Sequence, residues 1–205
     1  MHIVLLGDSI FDNGAYVPRD PVIAQLRAIV PASTEVSLLA VDGDVTVDVK
    51  NQLEHLPPAA THLVVSVGGN DALSYLELLD APAGGFAEVL THLYEIREAF
   101  AHRYRTMLQA VLACGCETAF CTIYDRVPGL SSAEYAALSL FNEAILREVL
   151  RAHAALIDLR LVCEDEADYS SVSPIEPSEQ GGQKIVGVIE RWSRGAGGHS
   201  ASVFA

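Results

Sequence analysis

Basic residues are scarce in this chain. Its 205 residues include 13 Lys and Arg against 27 Asp and Glu, giving a formal net charge of -14 and an isoelectric point near 4.7. A surface of that sign repels phosphate backbones and anionic lipid heads, which argues against nucleic-acid and membrane partners. Long hydrophobic runs are also missing. The first apolar run, Ile3 to Leu6, breaks at Asp8, and His2 is the only positive charge ahead of it, so no secretory signal is expected. No stretch approaches the roughly 18 apolar residues of a membrane span. The four cysteines (Cys114, Cys116, Cys121, Cys163) lack the CxxC spacing of a zinc or redox site, and no His pair accompanies them. They read as buried reduced thiols. Neither a cofactor nor a metal is expected, and the chain reads as a soluble cytoplasmic protein.

Half of the residues are hydrophobic and a fifth are charged, which excludes a disordered or fibrous chain. The length fits one domain with a sizeable core. That domain is expected over residues 1–193, followed by a glycine- and serine-rich flexible tail, 194–205. Unbroken apolar runs predict strands at His2–Leu6, Glu35–Ala40, His62–Val67, Glu117–Ile123 and Leu156–Asp158, as in parallel strands covered on both faces. Helical segments lie between them: Pro21–Ile29 after Asp20, Asp44–Leu53, Phe86–Ala113, Ser132–His153 with the start signal Ser132-Ala133-Glu134-Tyr135, and Glu179–Trp192. In the longest, Phe86, Val89, Leu90, Leu93, Ile96, Phe100, Tyr104, Met107, Leu108 and Val111 step by three or four into one continuous stripe. The alternation predicts an α/β fold, a three-layer α/β/α sandwich on a parallel sheet with right-handed crossovers.

Two strand ends carry chemistry. Gly7-Asp8-Ser9 follows the first strand and Gly68-Gly69-Asn70-Asp71 follows the third. Open α/β sheets place their ligand crevices at such ends. One loop offers a hydroxyl and the other an amide side chain, a pairing suited to acyl transfer. Serine is a weak nucleophile until a neighbouring base activates it, and the developing oxyanion needs preorganised donors, each worth about 3–4 kcal/mol of barrier.

With Gly43 in Val41-Asp42-Gly43-Asp44 between them, these blocks resemble those of the SGNH-type (GDSL-like) hydrolases. The resemblance runs from Gly7 to about Ile189. It implies a flavodoxin-like sheet of five parallel strands and an esterase or acylhydrolase activity. It also implies Ser9 as nucleophile, with an oxyanion hole formed by the Ser9 and Gly43 N–H groups and the Asn70 amide. Asp8 and Asp71 are expected to hydrogen-bond their own turns.

The last block departs from the family. Where the family carries Asp-x-x-His, this chain reads Ser173-Pro174-Ile175-Glu176, and no histidine lies in that loop. His199, in the tail, is the only later one, and the other six read as surface or helix-face residues. Two accounts follow. In one, Glu176 is the general base, and Ser173 supports it by donating a hydrogen bond. A carboxylate starts about two pKa units below imidazole, a deficit of roughly 3 kcal/mol that burial beside Ile175 partly recovers. The substrate is then a small ester. In the other account, the chain is a weak or silent member that binds a small ligand in the oxyanion pocket. Asp165 and Asp168 read as a solvated acidic loop, and Tyr124-Asp125-Arg126 as loop residues at the same sheet end, with Arg126 able to orient an anionic group.

Overall fold

The strands form where the apolar runs lie. A computed structural model describes residues 1–80, 82 and 84–195, with five strands: β1 His2–Gly7, β2 Glu35–Leu38, β3 His62–Ser66, β4 Glu117–Cys121 and β5 Ala155–Ile157. All pair in parallel in the order β2-β1-β3-β4-β5. The chain leaves β1 toward one edge and β3 toward the other, so the carboxyl ends of β1 and β3 flank the switch point where such sheets open a crevice. Ser9 and Asn70 follow those two ends.

Alternate residues of β1 feed two cores. Ile3 and Leu5 pack with α1 (Val22–Ile29) and α6 (Glu179–Ser193), while Val4 and Leu6 pack with α4 (Phe86–Leu112) and α5 (Ser132–Arg151). This is the period-two alternation of a strand with both faces covered. Two short helices, α2 (Val49–Leu53) and α3 (Gly69–Leu73), and a 3-10 helix at Leu76–Asp80 complete the upper rim.

The helices differ from expectation at their starts. Pro21 caps α1 rather than opening it, and the segment Asp44–Asp48 is turns, so α2 begins only at Val49. The α5 capping box is built on Ser131, not Ser132. The Ser131 side chain accepts from Glu134 N, and the Glu134 carboxylate accepts from Ser131 N at 2.7 Å. The expected stripe of α4 splits. Phe100, Ala101, Tyr104, Met107, Leu108 and Val111 are buried, but no residue from 86 to 99 is. That first half stands clear of the sheet, tied to α5 by the Arg97–Glu143 ion pair.

Cys121 and Cys163 are buried as expected, but Cys114 is exposed, because it sits in the turn after α4. His2 is buried and hydrogen-bonds Ser37 Oγ, which corrects its reading as a surface residue. The expected tail falls almost wholly on 196–205, and with His199 lies outside the described residues. Among the described residues, no helix is long and apolar enough to cross a membrane.

Candidate active site

The turn that presents Ser9 begins at Gly7. Gly7 has φ +125°, and a Cβ there would stand 1.7 Å from the Ser66 carbonyl oxygen, so only glycine fits between β1 and β3. Asp8 N donates to Ser66 O, and Asp8 O accepts from Phe11 N and Asp12 N, curling the chain back immediately after the strand. Ser9, at the head of this turn, is 6% exposed and lines a large cavity.

The loop holding Gly43 is braced on three sides. Gly43 takes φ +88°, the left-handed region that favours glycine. Asn70 Nδ2 donates to Asp44 O at 2.9 Å, which leaves the second N–H of that amide for another acceptor. Asp71 does not bond its own turn as expected. Its Oδ2 accepts from both Thr46 N and Thr46 Oγ1 at 2.8 Å, and Arg103 stands 3.7 Å from Oδ1. The third brace is Gln52 of α2, which the sequence did not single out. Its Oε1 accepts from Gly7 N (2.8 Å), while its Nε2 donates to Gly7 O and to Asp44 Oδ2 (both 2.7 Å). One buried amide thus joins the strand end before Ser9 to the loop carrying Gly43. The only sequence signal for it is a polar residue on the inner face of a short amphipathic helix.

Glu176 arrives from the far end of the chain. An isolated antiparallel bridge joins Tyr169 and Pro177, Ser170 N donates to Glu176 O, and Glu176 N donates to Ser173 O, making a closed turn over 173–176. Two side chains from other elements pin it. Tyr124 donates its hydroxyl to Ile175 O at 2.6 Å, and Asn13 Nδ2 donates to Pro177 O at 3.1 Å. Asn13, fully buried, also accepts from Val22 N, so it fixes the loop after Ser9 and the loop carrying Glu176 together.

The result brings the Glu176 carboxyl near Ser9 and Ser173, whose hydroxyls act on its pKa. Burial raises its pKa above the ordinary glutamate value, the Ser173 and Ser9 hydroxyls pull it back down, and the charge of Asp42 adds to the rise. Its Oε2 is buried with no hydrogen-bond partner among the described residues. Asp8 does hydrogen-bond its own turn, through Ile10 N at 3.1 Å. Burial pushes its pKa up to about 7, against the pull of that Ile10 N–H, with Asp71 and Glu176 raising it further.

The remaining acidic candidates lie elsewhere. Asp168 is fully buried and held by Lys184, Gln180 and Asp165 N, so it is not a solvated loop residue, and Asp165 pairs with Lys184 at its edge. Tyr124 lines the large cavity beside Ser9, whereas Asp125 and Arg126 line a separate, smaller hollow at the start of α5. Among the described residues, no group of three His, Cys, Asp or Glu is placed to hold a metal ion.

The cavity has a volume of about 1240 Å³. Gly69, Asn70 and Ile123 line it near Ser9, and it continues between the first half of α4, the first half of α5 and the 3-10 helix at Leu76–Asp80. Glu176 and Ser173 stand outside it.

The same frame recurs in solved structures. The extracellular lipase from Streptomyces rimosus aligns over 92% of this chain and 98% of its own, with TM-score 0.68 and 18% identity. Phospholipase A1 from Streptomyces albidoflavus aligns over 92% and 97%, with TM-score 0.69 and 18% identity. The acetyl xylan esterase AlAXEase aligns over 95% and 99%, with TM-score 0.69 and 15% identity. No curated protein sequence matches significantly. Residues 5–184 match the profile of the GDSL-like Lipase/Acylhydrolase family, and with nearly the whole sheet and site inside that span, the chain belongs to it.

Proposed function

We propose that the protein hydrolyses esters through Ser9, with Glu176 as the general base. The carrying observation is a buried carboxyl brought near the Ser9 hydroxyl, which lowers its pKa, at the one place where the family pattern puts histidine. Ser9 Oγ attacks the ester carbonyl carbon while its proton passes to Glu176. The negative charge that builds on the carbonyl oxygen is met by the Ser9 and Gly43 N–H groups and by the free N–H of Asn70. When the tetrahedral intermediate collapses, Glu176 returns the proton to the departing alcohol oxygen. Water then repeats the sequence on the acyl-serine, with Glu176 accepting a proton from water and returning it to Ser9. No acidic partner is needed behind a carboxylate base, and a neighbouring aspartate would repel it. Ser173 provides a hydroxyl instead.

The raised pKa moves Glu176 toward the range in which it accepts a proton effectively, and sets the pH dependence. Only the carboxylate form works, so kcat/KM falls as pH drops through that raised value and levels off above it. The test joins two measurements. Ser9 is expected to react with a fluorophosphonate, and Glu176→Gln to lower kcat by about 10²–10⁴-fold with the acid limb of the pH profile abolished. Full activity in Glu176→Gln would eliminate it as base. A Ser9 that resists labelling, with no turnover above Ser9→Ala, would favour the rival reading of a silent ligand-binding member.

A further inference from the structure

Three carboxyls gather around Ser9. Asp8, Asp71 and Glu176 are all buried, and the charges of Asp71 and Glu176 both act on Asp8. Ester hydrolysis adds one more negative charge, on the carbonyl oxygen of the substrate. Resting on the hydrolase reading above, we propose that Asp8 is a working member of the site in its neutral form. Its proton keeps the space beside Ser9 free of a further charge while the oxyanion develops, and loss of that proton stops the reaction at alkaline pH.

The partners of the three carboxyls say which one keeps a proton. A carboxylate is stabilised by hydrogen-bond donors and by nearby cations. Asp71 has both, with two bonds from Thr46 at 2.8 Å and the Arg103 guanidinium at 3.7 Å. Glu176 has the Ser173 and Ser9 hydroxyls, which favour its ionised form. Asp8 has a single side-chain hydrogen bond among the described residues, from Ile10 N to Oδ1 at 3.1 Å. Among the described residues, no Lys, Arg or His forms an ion pair with it. The other titratable groups facing it are the Cys121 thiol at the end of β4 and the Tyr124 phenol just beyond. Burial keeps both of these un-ionised, and neither brings a positive charge. The arginines on the cavity wall, Arg97 and Arg147, are held by Glu143. Asp8 is therefore the least supported of the three as an anion, in keeping with its rise to about 7.

Its position gives that proton a consequence. Asp8 lines the cavity together with Ser9, Gly69 and Asn70. Its Oδ2 lies 4.0 Å from where a Cβ on Gly69 would stand, so the oxygen that Ile10 does not hold faces the turn carrying Asn70. The proposed oxyanion donors act on that side, where the charge forms. An ionised Asp8 opposes them across a buried, weakly screened space. A neutral one does not.

Glu176 alone leaves kcat/KM level at high pH, and Asp8 adds a fall on the alkaline side. With p-nitrophenyl acetate as substrate and Ser9→Ala as the blank, we expect kcat/KM to drop about 25-fold between pH 6.5 and pH 8.5, as one group titrating near 7 requires. Asp8→Asn, which cannot ionise, should shrink that drop to less than about threefold. Difference infrared spectra of the unaltered protein over the same interval should lose a protonated-carboxyl band. Isotope-labelled aspartate would shift that band, which assigns it even if Asp8→Asn does not fold. A level profile to pH 8.5, an alkaline limb unchanged in Asp8→Asn, or absence of the band overturns the proposal. Unfolding of the unaltered chain by pH 8.5, seen by circular dichroism, overturns it too, because the lost rate then belongs to the fold. A carboxyl band with no ester turnover at any pH would sink the hydrolase reading while leaving the proton on Asp8.

Discussion

On the side of Ser9 that faces β2 and β3, the polar groups are backbone N–H donors and an amide, each held by a further hydrogen bond. Asn70 is held by Asp44 O, the Gly43 loop by Asp71 through Thr46, and the strand end by Gln52. On the side that faces the C-terminal loop, the backbone is pinned just as firmly, but the group it delivers is a carboxyl with one buried oxygen lacking a partner. A site for stabilising charge gains from donors that cannot move, since nothing then needs to reorganise as the charge forms. A base gains from the opposite condition. An acceptor position left open keeps the carboxyl ready to take a proton, and burial is what raises its pKa.

The contrast can be broken from either side. After Glu176→Gln, the largest effect is expected from Asn70→Ala, which deletes a proposed oxyanion donor and should lower kcat by about 10²–10³-fold while leaving the acid limb of the pH profile in place. Loss of the acid limb in that variant would show that the two sides do not act separately. Gln52→Ala should come next. It removes the brace without touching the substrate, so kcat should fall about 10–100-fold through misplacement of Ser9 and Gly43. KM should stay within about threefold, and stability should drop by about 2–3 kcal/mol from the unpaired Gly7 groups. A change confined to stability would reduce Gln52 to a packing residue. The third expected effect is on stability against pH. With Asp8 raised to about 7, the folded chain binds a proton that the unfolded chain has released, so the contribution of Asp8 to stability is greatest below about pH 4 and falls until about pH 7. Asp8→Asn should flatten that decline, by roughly 4 kcal/mol at most for a three-unit shift, as followed by urea unfolding at pH 5 and pH 8. An unchanged slope would mean that Asp8 is not the group responsible.

Much of this was legible in the chain. Apolar runs gave all five strands to within a few residues, because a strand buried on both faces has no polar alternation to confuse it. The end-of-strand residues Ser9, Gly43 and Asn70 were readable because each sits directly after an apolar run or in a glycine turn. Glu176 was readable only as a substitution in a pattern. Its place near Ser9 depends on Asn13 and Tyr124, which reach backbone carbonyls more than 50 residues away and leave no local trace. Periodicity was misleading on α4 for a related reason. A stripe of period 3.6 marks the face that meets apolar material, and does not say whether that material is the sheet or a hollow.

The pinning of the C-terminal loop has one more consequence. Tyr124 and Asn13 grip the carbonyls of Ile175 and Pro177, and Ser170 N grips that of Glu176, all of them main-chain atoms that every residue type supplies. The socket is therefore indifferent to the side chain it carries. A lineage could exchange the residue at position 176 without rebuilding the backbone that holds it, and the departure from the family pattern becomes a replaceable fitting in an unchanged frame.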